Sequence, residues 1–380
     1  MARKKCVSGV ILLLGLAGAA GAEEAGSAGV SPNGSAADGA APREWSVGPI
    51  SFSGLIDGYY SLNLNHPTSR VNQLRNFDVK ANQFSLNMAK LVLEHEPAPL
   101  GFRLDLGFGR AFDVIHGSEA GPDVFRHIQQ AFVSYKPAKM RGLQLDFGKY
   151  VTSAGAELIE THSNWNYSRS LLFAYAIPYY HFGLRATMPL GSLFSAGVQV
   201  ANGWNNVEDN NSGKTVGLVG AITTSKLTWT HNYYVGPEKA DTNEGFRHLY
   251  DTTLLVTPAE RLSFYINFDY GVDKGGPGMA DSRWTGVAGA ARIALSRWFA
   301  VAPRLEWFND ADGFATGKSQ KLKEFTLTGE FKMARGVLTR LEYRRDWSDQ
   351  PFFDRGGSPG AFRHQETLLA GIVAYFGAEP

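Results

Sequence analysis

Residues 262–271 read LSFYINFDYG. Leu262, Phe264, Ile266, Phe268 and Tyr270 fall on one side of an extended chain, with Ser263, Tyr265, Asn267 and Asp269 on the other. A period of two sustained over such a length means a strand with two unlike faces. The same alternation runs through GFRLDLGFGR (101–110), where Phe102, Leu104, Leu106 and Phe108 oppose Arg103 and Asp105. It recurs in FAVAPRLEWF (299–308), where Leu305 and Trp307 oppose Arg304 and Glu306. About sixteen such segments occupy residues 50–377, and none reads as a long amphipathic helix, so the chain is all-β.

The connections narrow the class further. EPAPL, PAKMRG, PLGS, TSK, PAE, SR and MARG are tight links, and they alternate with longer polar or Gly-rich segments such as GWNNVEDNNSGK and DKGGPGMADS. Soluble sandwiches mix hairpin and crossover lengths. Short turns on one side and long loops on the other are the habit of a transmembrane barrel, with the turns periplasmic. Strands of roughly 10 residues, tilted near 45°, span about 23 Å, close to the apolar band of about 25 Å in such barrels. Since an unpaired edge in lipid costs several kcal/mol per group, the ring should close. The expected fold is a closed antiparallel transmembrane β-barrel of about sixteen strands, with short periplasmic turns and long extracellular loops. The competing reading, a secreted soluble β-protein with one buried sheet face, leaves the alternation of loop lengths unexplained.

The ends of the chain agree with export. Arg3, Lys4 and Lys5 precede VSGVILLLGLAGAAGA, which closes on Ala20, Gly21 and Ala22. These are the three regions of a signal peptide, assigned to residues 1–22. Residues 23–44, rich in Ala, Gly, Ser and Pro, are expected to be a flexible periplasmic arm, and residues 45–380 the barrel. Cys6, the only cysteine, falls in the signal, which excludes disulfides, cysteine-ligated zinc and a cysteine nucleophile in the mature chain. With 37 Lys and Arg against 36 Asp and Glu, nothing suggests a nucleic-acid partner. The nine histidines are scattered without HxxxH spacing, and no metal or cofactor is expected.

Charge decides which face is which. An Arg facing lipid at the midplane costs about 2–4 kcal/mol. Arg103, Arg185, Arg292, Arg304 and Arg340, all mid-strand and opposite the apolar set, should therefore face the lumen. Asp105, Glu306, Glu342 and Arg344 share that face, as do Glu324, Glu330 and Asp346. Lys149 and Arg345 break the alternation, but near outer strand ends, where a charge is tolerated or marks a bulge. Mixed signs across a pore create a transverse field that orients polar solutes. The plainer reading is a set of ordinary ion pairs that keep the wall polar.

The longest connection, 152–178, contains ELIETHSNWNYSRSLLF (157–173). Glu157 and Glu160 are three apart, so one helical turn would aim both the same way. With His162 and Arg169 they are candidates for a pore constriction, if the loop folds inward. The alternative is a loop whose aromatics pack on the rim. Glu160, His162 and Ser163 also hold the ingredients of a hydrolase, yet sequence neighbours rarely face one another and no GxSxG elbow exists. An enzyme is not expected.

From LDFGKYVTSAGAELIE through NWNYSRSLLFAYAIPYYHFGLRATMPL to VANGWNNVEDNNSGKTVGL and YYVGPE, the chain resembles the type-two, OmpL-like β-barrel porins. The resemblance marks Asn166, Tyr167, Ser168, Asn202, Gly203 and Trp204 as characteristic and implies an outer-membrane porin. Outer-membrane proteins usually end on an aromatic residue read by the assembly machinery. Here IVAYFGAEP places the candidates Tyr375 and Phe376 short of the end. The expected function is passive diffusion of small hydrophilic solutes and ions. Expected partners are outer-membrane lipid, those solutes and the barrel-assembly machinery. Trimers are common among sixteen-strand porins, which admits a homotrimer here. An adhesin or receptor acting through outer loops is the alternative from another class.

Overall fold

The computed structural model describes residues 45–119, 121–140 and 142–377. The expected signal peptide and arm, residues 1–44, lie outside them. Sixteen strands form the barrel: β1 (Ile50–Asn63), β2 (Gln83–His95), β3 (Leu100–Phe108), β4 (Ile128–Tyr135), β5 (Gln144–Val151), β6 (Tyr180–Pro189), β7 (Phe194–Ala201) and β8 (Thr215–Thr223) in the first half. The second half comprises β9 (Leu227–Pro237), β10 (Phe246–Ala259), β11 (Leu262–Asp273), β12 (Ser282–Ala294), β13 (Phe299–Asp310), β14 (Gln320–Ala334), β15 (Val337–Ser348) and β16 (His364–Phe376). Each is antiparallel to its neighbours. β16 pairs with β1 from Thr367↔Asn63 to Phe376↔Gly54, which closes the ring. Closure satisfies the backbone groups that an edge strand would leave bare.

The two faces divide as the alternation requires. On β11, Leu262, Ile266, Phe268 and Tyr270 are exposed on the outside, while Tyr265, Asn267 and Asp269 are buried inside. Aromatics collect at strand ends, as where Phe299 stacks on Phe331 beside Trp298. Arg345 faces outward near an outer strand end, ion-paired to Glu366 and lying over Trp347. Lys149 follows a backbone irregularity at Gly148 (φ 136°) and is buried in an ion pair with Glu119 at 2.6 Å.

The alternation of connection lengths is looser than the sequence suggests. The outer loops 238–245 and 274–281 are no longer than the periplasmic turn 136–143. The loops also carry structure absent from the strand pattern: α1 (Arg110–Ile115), α2 (Leu171–Tyr175) and a hairpin pairing Phe353 with Phe362. Ser170 caps α2, its hydroxyl accepting from Phe173 N at 3.0 Å. The main apolar core lies inside the barrel. Leu74 and Phe77 of loop 64–82, α1, and Tyr167, Leu171, Leu172, Phe173 and Ile177 pack there against inward residues such as Leu249, Phe308 and Leu369.

Candidate functional site

Loop 152–179 leaves β5 and crosses the lumen. It is pinned first to β9, where Ser153 Oγ donates to Asn232 Oδ1 at 2.7 Å. Gly155 N then donates to Asp251 of β10 at 3.1 Å. Glu157 Oε1 meets Arg304 Nη1 of β13 at 2.7 Å, and its other oxygen accepts from Ser170 N at 2.6 Å. On the far side Glu160 pairs with Lys90 of β2 and accepts from Gln129 of β4 at 2.9 Å. His162 stacks on Tyr375 of β16, ring centroids 4.9 Å apart.

The return path is held as closely. Asn166 donates to Thr328 Oγ1 at 2.8 Å and Ala302 O at 3.0 Å. Tyr167 N and Ser168 N both donate to Glu342, at 2.7 and 3.0 Å, and the Tyr167 hydroxyl donates to Asp57 at 2.6 Å. Leu171 N donates to Glu306 at 2.8 Å. Tyr167 can lie flat on β16 only because residue 371 is glycine, since a Cβ there would sit 2.3 Å from its ring. Wall arginines complete the clamp: Arg304 donates to Ser168 O at 2.8 Å, Arg344 to Ser168 Oγ at 3.2 Å, and Arg340 to the carbonyls of Thr161 and Asn164.

The sequence-derived candidates are thus brought into one loop–wall network, with corrections. Glu157 and Glu160 do not share a helical face: Thr161–Ser163 is the only helical turn between Thr152 and Ser170, and the two carboxylates bind different parts of the wall, β13 and β2. The reason is that each binds a different buried cation, which outweighs the weak local preference for a turn. Arg169 faces neither pore nor wall. It is buried within the loop, donating to Leu158 O, Ile159 O and Tyr167 O at 2.8, 2.8 and 2.6 Å. Of the lumen charges, Arg103 pairs with Asp105, Arg185 with Asp146, Arg292 and Arg340 with Glu330, and Arg344 with Asp346.

The sequence reading misses Asp57, Arg75 and Lys90. Arg75, from loop 64–82, reaches Asp346 at 2.8 Å, so a second loop enters the barrel. Lys90 escapes the alternation because the β1–β2 register slips between Asp57 and Gly58, turning both Asn87 and Met88 inward. That bulge resets the phase of the strand. Water still reaches some charged side chains on the lumen wall: Glu160 keeps 18% of its side chain exposed, Glu94 21% and Arg103 13%, whereas Arg304 and Glu306 keep none.

The other characteristic residues brace the outer mouth. Gly203 (φ 129°) turns the chain so that Trp204 N donates to Glu238 at 2.8 Å, and the Glu238 carboxylate lies where a Cβ on residue 203 would fall. Asn202 Nδ2 holds Val207 O at 2.7 Å. Burial pushes the Glu238 carboxyl up to about 7, against the opposing pull of Arg247 and the Thr215 and Trp204 donors. Among the described residues no group of three or more His, Cys, Asp or Glu side chains converges as a metal centre.

Solved structures of the same architecture include the outer-membrane protein OmpT of Vibrio cholerae in its trimer form. It is 12% identical, with TM-score 0.58, covering 86% of this chain and 99% of that one. The outer-membrane channel DcaP of Acinetobacter baumannii is 9% identical, TM-score 0.58, covering 86% and 97%. An anion-selective porin from Comamonas acidovorans is 12% identical, TM-score 0.55, covering 86% and 99%. At these identities the likeness establishes the fold. No curated protein matches in sequence. Residues 49–376 match the model of the family described as "Putative beta-barrel porin-2, OmpL-like", which spans the whole ring from β1 to β16. The chain is an outer-membrane β-barrel and belongs to that porin family.

Proposed function

We propose that the barrel is a water-filled channel for passive diffusion of small hydrophilic solutes and ions, narrowed by loop 152–179. The observation that carries this reading is the clamp itself. A loop of this length is drawn into the lumen by buried ion pairs to two separate parts of the wall, Glu157–Arg304 on β13 and Glu160–Lys90 on β2. A ring of sixteen strands is wide enough to leave an aqueous path, so an inserted loop sets its narrowest width. Charges of both signs that remain wet, Glu94, Arg103 and Glu160, give that path a transverse field. Glu160 and Lys90 form the narrowing, with Arg103 and Asp105 beside it. The same reading includes assembly in the outer membrane by the barrel-assembly machinery and a homotrimeric state, the form in which OmpT has been described.

Single-channel recording in a planar bilayer tests it. Folded wild-type protein should give discrete conductance steps, and Glu160→Gln should move the reversal potential under a salt gradient towards anion preference. Folded protein that inserts without any conductance would overturn the channel.

A further inference from the structure

β14 descends from the outer loop 311–319 to the periplasmic turn 335–336, so its first residues lie at the outer edge of the membrane. Two of them, Lys321 and Lys323, are exposed on the outward face. In the strand register Lys323 stands between Trp307 of β13 and Trp347 of β15, and Lys321 lies beside Asn309. A cleft of about 640 Å³ opens over them, lined by Trp307, Lys321, Lys323, Trp347, Ser348 and Asp349. Just below, Arg345 lies over the Trp347 ring and is ion-paired to Glu366 at 2.9 Å.

These two ammonium groups are not spent on the protein. Lys90, Lys149, Lys214, Lys239 and Lys274 each pair with a carboxylate, whereas neither Lys321 nor Lys323 has an ion-pair partner among the described residues. Asp349, the acid on the cleft, accepts from Lys321 N at 2.8 Å instead. A single lysine at the edge of the apolar band needs only water above it. Two neighbours on one face of one strand repel, and an anion held between them removes that repulsion. The wall below the cleft narrows the kind of anion. Leu305 and Leu327 are exposed there, with Phe325 beside Leu305 in the register. A ligand seated here meets cations at its head and an apolar surface beneath, at the level of the tryptophans that mark the headgroup region. That is the profile of an anionic amphiphile.

We propose that this cleft binds a phosphate-bearing lipid of the outer leaflet, its phosphate between Lys321 and Lys323 and its acyl chains along Leu305, Phe325 and Leu327. The tryptophans of β13 and β15 wall the headgroup on either side, and charge-assisted hydrogen bonds from the two ammonium groups hold the phosphate oxygens. The site needs the barrel to stand in a membrane and does not depend on its conducting.

The test is native mass spectrometry of the folded, delipidated barrel in non-ionic detergent, titrated with diphosphorylated lipid A and, separately, with the same lipid stripped of its phosphates. Wild type should retain the phosphorylated lipid, and the double variant Lys321→Gln with Lys323→Gln should bind it roughly tenfold more weakly or worse. The dephosphorylated lipid should bind wild type and variant alike and weakly. Lys321→Arg with Lys323→Arg, which keeps both charges, should retain binding. Should the double glutamine variant not fold, the single substitutions Lys321→Gln and Lys323→Gln take its place. Equal binding of the phosphorylated lipid by wild type and the glutamine variant overturns the proposal. Displacement of that lipid by inorganic phosphate at a comparable concentration overturns the lipid assignment and leaves a site for the free anion.

Discussion

Glu157 and Arg304 are 147 residues apart in sequence and 2.7 Å apart in space, and their contact lies inside the barrel with both side chains almost fully buried. Arg304 also pairs with Glu306 and Glu324, so losing Glu157 does not strand it, but the loop loses its one ion pair to β13. Glu157→Gln should therefore loosen the loop against β13, where Leu171 N, Ser168 O and Asn166 still hold it, without opening the ring. The expected outcome is larger and noisier single-channel conductance from protein that remains folded.

A steric route should give the same result without touching a charge. Gly371→Ala places a methyl 2.3 Å from the Tyr167 ring and forces it off β16, breaking its bond to Asp57. Conductance should rise as in Glu157→Gln. If it stays at the wild-type value, the loop is held by its other contacts and Tyr167 is dispensable.

Arg169 holds three loop carbonyls through its guanidinium fork. Lysine keeps the charge but not the fork. Arg169→Lys should accordingly disturb the loop nearly as much as Arg169→Gln, read as protease sensitivity between residues 152 and 179. Full protection in Arg169→Lys alone would assign Arg169 a charge role.

At the C-terminus, neighbouring aromatics have opposite duties. Phe376 faces outward over Gly54, while Tyr375 pairs with Leu55 on the inner side and stacks on His162. Phe376→Ala should lower the amount of barrel inserted in the outer membrane far more than Tyr375→Ala or removal of residues 378–380. Equal losses would show that the assembly machinery reads something else.

Glu238 predicts a pH dependence at the outer mouth. Its carboxyl is raised in the fold, to about 7, from an ordinary value near 4.5. The folded state thus holds the proton more tightly, and stability should fall as pH rises between about 4.5 and 7. Glu238→Gln keeps an acceptor for Trp204 N and cannot titrate. The wild type should lose heat stability relative to this variant across that window, and a constant difference from about pH 4 to 8 would remove Glu238 as the cause.

How much of this was legible before the tertiary structure can be argued from single residues. Phe268 and Asp269 reveal their faces by alternation, because a strand has only two sides and lipid tolerates charge on just one of them. Arg103, Arg185, Arg292, Arg304 and Arg340 follow by the same logic. Lys90 does not, since one bulge inverts the phase. Arg169 could not be placed by pattern either, because its partners are loop carbonyls, which every residue carries.

The sequence by itself therefore determined the sixteen strands, their inward and outward faces and the residues marked by family likeness. Those are consequences of local periodicity and of the requirement that every backbone group in a membrane be paired. Only the tertiary structure decided that loop 152–179 enters the lumen, that Glu157 and Glu160 part to different strands of the wall, β13 and β2, and that Asp251 and Asp269 face each other. Contacts between residues so far apart in the chain have no local period to betray them; they exist because ring closure brings β1 and β2 beside β13 to β16 and leaves a shared interior to be filled.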